Sequence, residues 1–358
     1  MDKTFVDFHV IQTVPPSCVN RDDTGSPKTA VYGGVRRARV SSQSWKRAMR
    51  MMFRENFDES ELGVRTKKII DLVAQSIRVQ DDLKTEEEAL SLAEKVINAM
   101  GVSTKDKAAK ALFFMSTKQA QNLAELILRD GAPQKKDAQS ALNKNHGVDV
   151  ALFGRMVADE PALNTDASSQ VAHSISTHRV DNEYDYYTAM DDMSPEDSAG
   201  AGMIGTVEFN SATLYRYATV AAHELFKQLS GDPAALARTI KEFARAFVTS
   251  MPTGKQNTFA NRTLPDAVMV SIRKDQPLNL VGAFEEPVQN DGGFVNQSVS
   301  KLVTYAMNKY DSFSCPPEKA YVVGEIIAEL TGTGKVSFEK VSFNKLLDEL
   351  EKDMLARF

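Results

Sequence analysis

Cysteine is nearly absent from this chain: Cys18 and Cys315 are the only two in 358 residues. Two thiols exclude a disulfide framework and a zinc cage built from thiolates alone. Histidine is scarce as well. Of the five, His173 and His178 stand five apart, which is neither the i, i+4 of a helix face nor the i, i+2 of a strand face, and no HExxH-like spacing occurs, so no metal site is expected. No apolar run approaches membrane-spanning length and the opening MDKTFVDFHVIQTV is too charged for a signal peptide, so a cytoplasmic protein with no membrane partner is expected. The GTGK at 332–335 lacks the upstream glycine of a P-loop, and Val336 stands where a magnesium-binding Ser or Thr is needed.

Acidic residues are missing from one place in particular. Lys28 to Arg54 carries eight cations (Lys28, Arg36, Arg37, Arg39, Lys46, Arg47, Arg50 and Arg54) and no carboxylate, in a chain of net charge -5, which leaves -13 for the remainder. A concentrated positive patch on an acidic protein points to a local polyanion site. The second half of the stretch has helical logic. Ser41 or Ser42 is placed to cap a helix, and Trp45, Ala48, Met49, Met52 and Phe53 then form one apolar stripe, with Lys46, Arg47, Arg50 and Arg54 in a separate sector. A solvated face on an ordinary core helix is the plain alternative. Solvated faces usually interleave both signs, and the absence of an acidic partner here favours the polyanion.

At 42% hydrophobic and 25% charged, the chain has the make-up of a globular protein with more than one lobe. Phe5 to Val14 reads as a first strand whose pairing ends at Pro15 and Pro16. A loop, a hairpin-like return through Gly33 and Gly34 to Val35–Val40, and the basic helix complete an α+β opening. From about 57 to 145 the pattern becomes helical with both signs of charge, as an inserted lobe would be; its Lys105, Lys107, Lys110, Lys135 and Lys136 are only secondary candidates for nucleic acid. Met156 reads as a core filler. The glycine-rich, polar stretch 193–203 lies between two strand-like segments, the signature of a projecting hairpin with Met203 and Ile204 at its edge. Tyr215 and Tyr217 alternate on the returning strand, as a half-buried face does. Two helices over 221–250 break at GDP; a polar loop with Lys255, Gln256, Asn257 and Thr258 leads to a strand at Ala267–Ile272, and helices close the chain at Gln297–Asn308 and Phe343–Leu355 around further strand-like residues at Tyr321–Val323 and Lys335–Phe338.

The motifs SCVNRDD, YGGVRRARVSSQSWKRAMR, DVALFGRM, AHSISTHRVD, DYYTAMDD, GTVEFNSATLYRYATV and GKQNTFA combine into a recognisable order. Over most of residues 1–310 the chain resembles the CasC family, the repeated backbone subunit of the type I-E CRISPR surveillance complex Cascade. The resemblance implies a hand-like α+β fold: a ferredoxin or RRM-like palm (1–57 and 219–358), an inserted helical fingers domain (58–182) and a projecting thumb β-hairpin (183–218). It implies that copies stack along CRISPR guide RNA into a helical filament, each thumb turning one base out and leaving the rest to pair with target DNA. The other Cascade subunits it implies as partners are the large subunit, the small subunit, the guide-processing endonuclease and the 5′-handle-binding subunit.

By position, Arg21, Ser41, Gln43, Lys46, Arg47 and Arg50 fall on the palm's guide-backbone surface, Lys255 and Asn257 on a nearby loop, and Met203 with Ile204 at the thumb wedge. Arg, Lys, hydroxyl and amide donors suit a scaffold that holds sugar and phosphate without reading bases. No catalytic residue, metal or cofactor is implied. The chain departs from the pattern at Ser168–Gln170, which is polar where an apolar partner for the displaced base is expected. The rival reading is a metal-dependent ribonuclease of the type III backbone kind, built on Asp22 or Asp23.

Overall fold

The computed structural model describes residues 2–189, 193, 203–331 and 336–358. β1 (Phe5–Ser17), β2 (Thr29–Tyr32), β3 (Val35–Val40) and α1 (Ser42–Asn56) open the chain. A helical lobe follows: β4 (Gly63–Thr66), α2 (Ile69–Gln80), α3 (Glu86–Ala99), β5 (Thr104–Lys105), β6 (Ala108–Ala109), β7 (Phe113–Ser116), α4 (Thr117–Asp130) and α5 (Lys135–Leu142). The chain returns through α6 (Val148–Phe153), β8 (Ser169–Val171) and β9 (Ser174–Ser176) to two long strands, β10 (Glu183–Ala189) and β11 (Met203–Ala221). It ends with α7 (Ala222–Gln228), α8 (Pro233–Thr249), α9 (Gln256–Phe259), β12 (Ala267–Arg273), α10 (Val295–Ser312), β13 (Lys319–Val323), α11 (Glu325–Thr331), β14 (Glu339–Lys340) and α12 (Phe343–Arg357).

The fold is α+β, and its centre is one sheet in the order β14-β13-β12-β1-β11-β9-β3-β2. Within it, β1, α1, β9, β11, α8 and β12 follow the βαββαβ connectivity of a ferredoxin-like palm, with β12-β1-β11-β9 antiparallel throughout. Both faces of this sheet are covered. Val6, Phe8 and Val10 of β1 join Trp45, Met49 and Phe53 of α1 and Phe243 and Phe247 of α8 in one core. Ile11, Tyr215, Tyr217 and Met269 join α10, α11 and the Leu280–Phe284 segment in another.

Three expectations change here. Tyr215 and Tyr217 are fully buried rather than half-buried, because α10 covers the face that a two-layer sheet would leave wet. β1 does not stop at the prolines: its pairing with β11 shifts register between Val14 and Ser17, and Ser17 lies opposite Asn210, so Pro15 and Pro16 sit in a bulge. The last strand is Glu339–Lys340, just beyond the 335–338 run that looks strand-like in sequence.

The helical lobe has a core of its own, drawn from Ile69 to Leu163. β8 and β9, which follow it in the chain, pair with β11 in the main sheet. β10 and β11 pair from Glu183↔Phe209 to Ala189↔Met203, and β10 is exposed along its whole length, so the hairpin projects. The rest of its tip and the GTGK segment lie outside the described residues.

Candidate nucleic-acid interface

Ser41 is the cap of α1: its Oγ accepts the Ser44 N–H at 3.3 Å, while its own N–H donates to Asn20 Oδ1 at 2.8 Å. The helix buries Trp45, Met49 and Phe53, with Ala48 and Met52 half-buried. Trp45 Nε1–H donates to Ser174 Oγ at 2.9 Å, and the Arg216 guanidinium lies 3.8 Å from the indole centroid. Arg216 is itself buried, and burial holds its pKa down to about 9. Such a clamp fixes how α1 turns its cations outward.

Those cations divide by role. Arg37 is fully buried and donates to the carbonyls of Tyr32, Ser176 and Phe284, so it ties β3 to the opposite layer. Arg39 donates to Thr29 O and His173 Nδ1. Arg50 pairs with Asp149 Oδ2 at 2.8 Å, donates to Gly63 O and lies 4.4 Å from the Phe114 centroid. The carboxylate missing from 28–54 is therefore supplied from 99 residues away. Lys46 lies 5.7 Å from the Phe153 centroid; burial first and nearby Arg65 second push its pKa down. Arg47 and Arg54 are exposed and, among the described residues, have no ion-pair partner.

Arg47 faces a cleft of about 850 Å³, walled by the 19–25 loop, α1 and the 250–262 loop. Arg21, Arg47 and Arg262 line it together with Asp22, Asp23 and Glu55. Gly254 sits so close to the first loop that a Cβ there would fall 2.1 Å from Val19 O, which is why the two loops can meet. Lys255 and Ala260, at either end of α9, hold left-handed backbone at φ 44° and 46°. Lys255 adjoins the cleft, near enough with Arg21 to act on the Cys18 thiol, whose pKa burial nonetheless raises. Asn257 is exposed on α9 and Gln43 on the first turn of α1. The expected set is thus brought together at Arg21, Arg47 and the Lys255 loop, while Lys46 and Arg50 turn toward the helical lobe.

Of the two loop aspartates, Asp22 is held by its own loop. Asp22 Oδ1 accepts from Thr24 N–H, Thr24 Oγ1–H and Ser26 N–H, an Asx-type turn that also lowers its pKa, with Thr24 the largest cause. Among the described residues no group of three or more His, Cys, Asp and Glu is placed to hold a metal ion. His173 and His178 serve separate places: His178 accepts the Thr213 N–H, donates to Arg179 O and stacks on Phe294 at 3.7 Å. Burial, the main cause for both, lowers their pKa values.

Met203 and Ile204 are exposed on β11, opposite Ala189 and Thr188. Ser168 and Ser169 are not surface polar groups; their hydroxyls donate to Ala151 O and Leu152 O inside the fold. Met156 corrects a different expectation: it is 83% exposed rather than core. Arg155, one residue earlier, is buried and donates to Leu163 O, Phe114 O and Asn143 Oδ1, so the turn is pinned from inside and its methionine pointed out. Gly154, at φ 74°, makes the turn that leads into Arg155. Tyr184 and Tyr186, exposed on one face of the hairpin with Ile204, were also passed over.

Solved structures with this architecture define the class. One, titled "CRISPR RNA-guided surveillance complex, pre-nicking", superposes with a TM-score of 0.81 at 31% identity, covering 98% of this chain and all of that one. Another, titled "CRISPR RNA-guided surveillance complex", matches with a TM-score of 0.72 at 28% identity, covering 98% and 99%. The chain belongs to the CT1975-like protein family, whose model matches residues 6–350. This agrees with the Cascade backbone resemblance carried by the motifs. No curated protein sequence matches the chain. Among the described residues no helix is long and apolar enough to cross a membrane.

Proposed function

We propose that this chain is a non-catalytic backbone subunit of a type I-E CRISPR surveillance complex, which polymerises along guide RNA and holds its sugar-phosphate track. The observation that carries this is Arg47: an exposed guanidinium with no ion-pair partner among the described residues, on a rigidly clamped helix, sharing one cleft with Arg21 and the Lys255 loop. Donors of this kind grip phosphate and ribose and leave base edges free to pair with target DNA. Gln43 and Asn257 border the same track, while Ser41 and Arg50 act by fixing the helix and Lys46 lies on its side toward the helical lobe.

In this reading the RRM-like palm carries the guide, and the exposed Met203 and Ile204 of the projecting hairpin wedge a base step on the neighbouring copy's RNA. Filament neighbours and the other Cascade subunits are its partners, in the cytoplasm. Asp22 favours a structural loop over a nuclease, because its carboxylate is already occupied by its own turn. Copurification of the tagged chain from its own host tests the proposal. Short CRISPR-derived RNA and further complex subunits are expected; protein free of nucleic acid contradicts it.

A further inference from the structure

The cleft beside Arg47 holds groups that phosphate binding does not use. Asn261 and Ser250 both line it, are 1% and 3% exposed, and leave Asn261 Nδ2 and Ser250 Oγ without a hydrogen-bond partner. A buried donor left unmade is costly, and such groups are rare unless something else completes them. Strained backbone flanks them: Lys255 and Ala260 are non-glycine residues at positive φ, on the segment joining Ser250 to Asn261. Left-handed backbone of this kind persists where the surroundings enforce it, typically at ligand sites.

Charge separates two ligand chemistries. Arg21, Arg47 and Arg262 are matched in number by Asp22, Asp23 and Glu55, so the lining is balanced rather than cationic. Phosphates are held by the arginines at the rim, but deeper in a balanced cleft a phosphate gains little. A neutral hydroxyl flanked by phosphates gains more: it accepts from an amide N–H and donates to a hydroxyl or carboxylate oxygen, while arginines at the rim hold its neighbours. The 2′-hydroxyl, both donor and acceptor, is the group that separates RNA from DNA.

We propose that this cleft recognises the ribose 2′-hydroxyl through Asn261 and Ser250, so that the chain selects RNA over DNA of the same sequence. The inference rests on the guide-binding reading above and assigns to it the groups that set its sugar preference. Arg262, exposed and with no ion-pair partner among the described residues, holds an adjacent phosphate.

The test compares the full chain's affinity for one single-stranded RNA and the DNA of the same sequence, at one salt concentration, in wild type, Asn261→Ala, Ser250→Ala and Arg47→Ala. Wild type is expected to prefer RNA. Each of the first two variants is expected to lower RNA affinity about five- to tenfold, the loss of one hydrogen bond, with DNA affinity unmoved. Arg47→Ala is expected to lower both together. Ser250→Ala removes one atom from the end of α8 and keeps the test available if Asn261→Ala fails to fold. Equal wild-type affinity for RNA and DNA, or a preference that both variants retain, overturns the sugar assignment while leaving guide binding intact. A wild-type chain that binds neither nucleic acid overturns the guide reading as well.

Discussion

Arg50 and Asp149 are joined at 2.8 Å between the first helix and α6, with the carboxylate side chain only 3% exposed. Asp149 Oδ1 also accepts the Gly63 N–H at 2.6 Å, so three separate segments converge on one carboxylate. Burial raises its pKa, and Arg50 is the largest influence in the other direction. The pair is the electrostatic seam between the palm and the helical lobe.

Removing one member of that seam leaves a buried charge without compensation. Arg50→Ala is expected to lower unfolding free energy by about 3 kcal/mol, measured by urea denaturation at pH 7. Unchanged stability would return Arg50 to the set of free, ligand-seeking cations.

Gly254 makes a second, steric prediction. A methyl group there meets Val19 O at 2.1 Å and Cys18 O at 2.7 Å, backbone atoms that cannot step aside alone. Gly254→Ala is expected to separate the loops of the cleft, cost about 1–3 kcal/mol, and weaken guide RNA binding. Wild-type affinity in this variant would show that the contact of the two loops is irrelevant to the site.

The cationic helix was legible because its cap, its stripe and its charged sector all repeat within one turn or two. Its partners were not. Asp149 lies 99 positions from Arg50, and Arg37 satisfies its donors on carbonyls as distant as Phe284, so neither could be sorted from Arg47 by local pattern. Alternation at Tyr215 and Tyr217 identifies one face of a strand but cannot say that α10 covers it. The Pro15–Pro16 bulge was hidden for a similar reason: prolines forbid ladder donation, yet one extra residue lets pairing resume at Ser17. Order of elements, hairpin and inserted lobe were readable; which cations stay free was a tertiary fact.

Asp7 gives a pH dependence. It is fully buried between β1's neighbours, accepts from Tyr217 Oη–H and Leu278 N–H, and burial outweighs these bonds to raise its pKa to about 6. The folded pKa lies above the unfolded 3.8, so its contribution is fully present below pH 4 and is lost as pH rises through 6. Asp7→Asn is therefore expected to flatten the stability curve between pH 4 and 6 by roughly 2–3 kcal/mol relative to wild type. Parallel curves for the two proteins would place the ionised form in a better-solvated site.

At the hairpin, Ile204 is 69% exposed and lies opposite Thr188 in the ladder. Ile204→Asp is expected to change stability by less than about 0.5 kcal/mol and to disturb the regular spacing of displaced guide bases in assembled complexes, read by chemical probing along the RNA. An unaltered reactivity pattern contradicts a wedge at this position.

The most direct test of the central claim is the salt dependence of guide binding in Arg21→Ala combined with Arg47→Ala, two cations that share the cleft, measured with two guides of unrelated sequence. Loss of affinity by the same factor for both guides is predicted, with the slope of log K against log salt shallower by about 0.7 for each phosphate contact removed. A loss confined to one guide sequence, or an unchanged slope, would contradict a surface that holds the sugar-phosphate track without reading its bases.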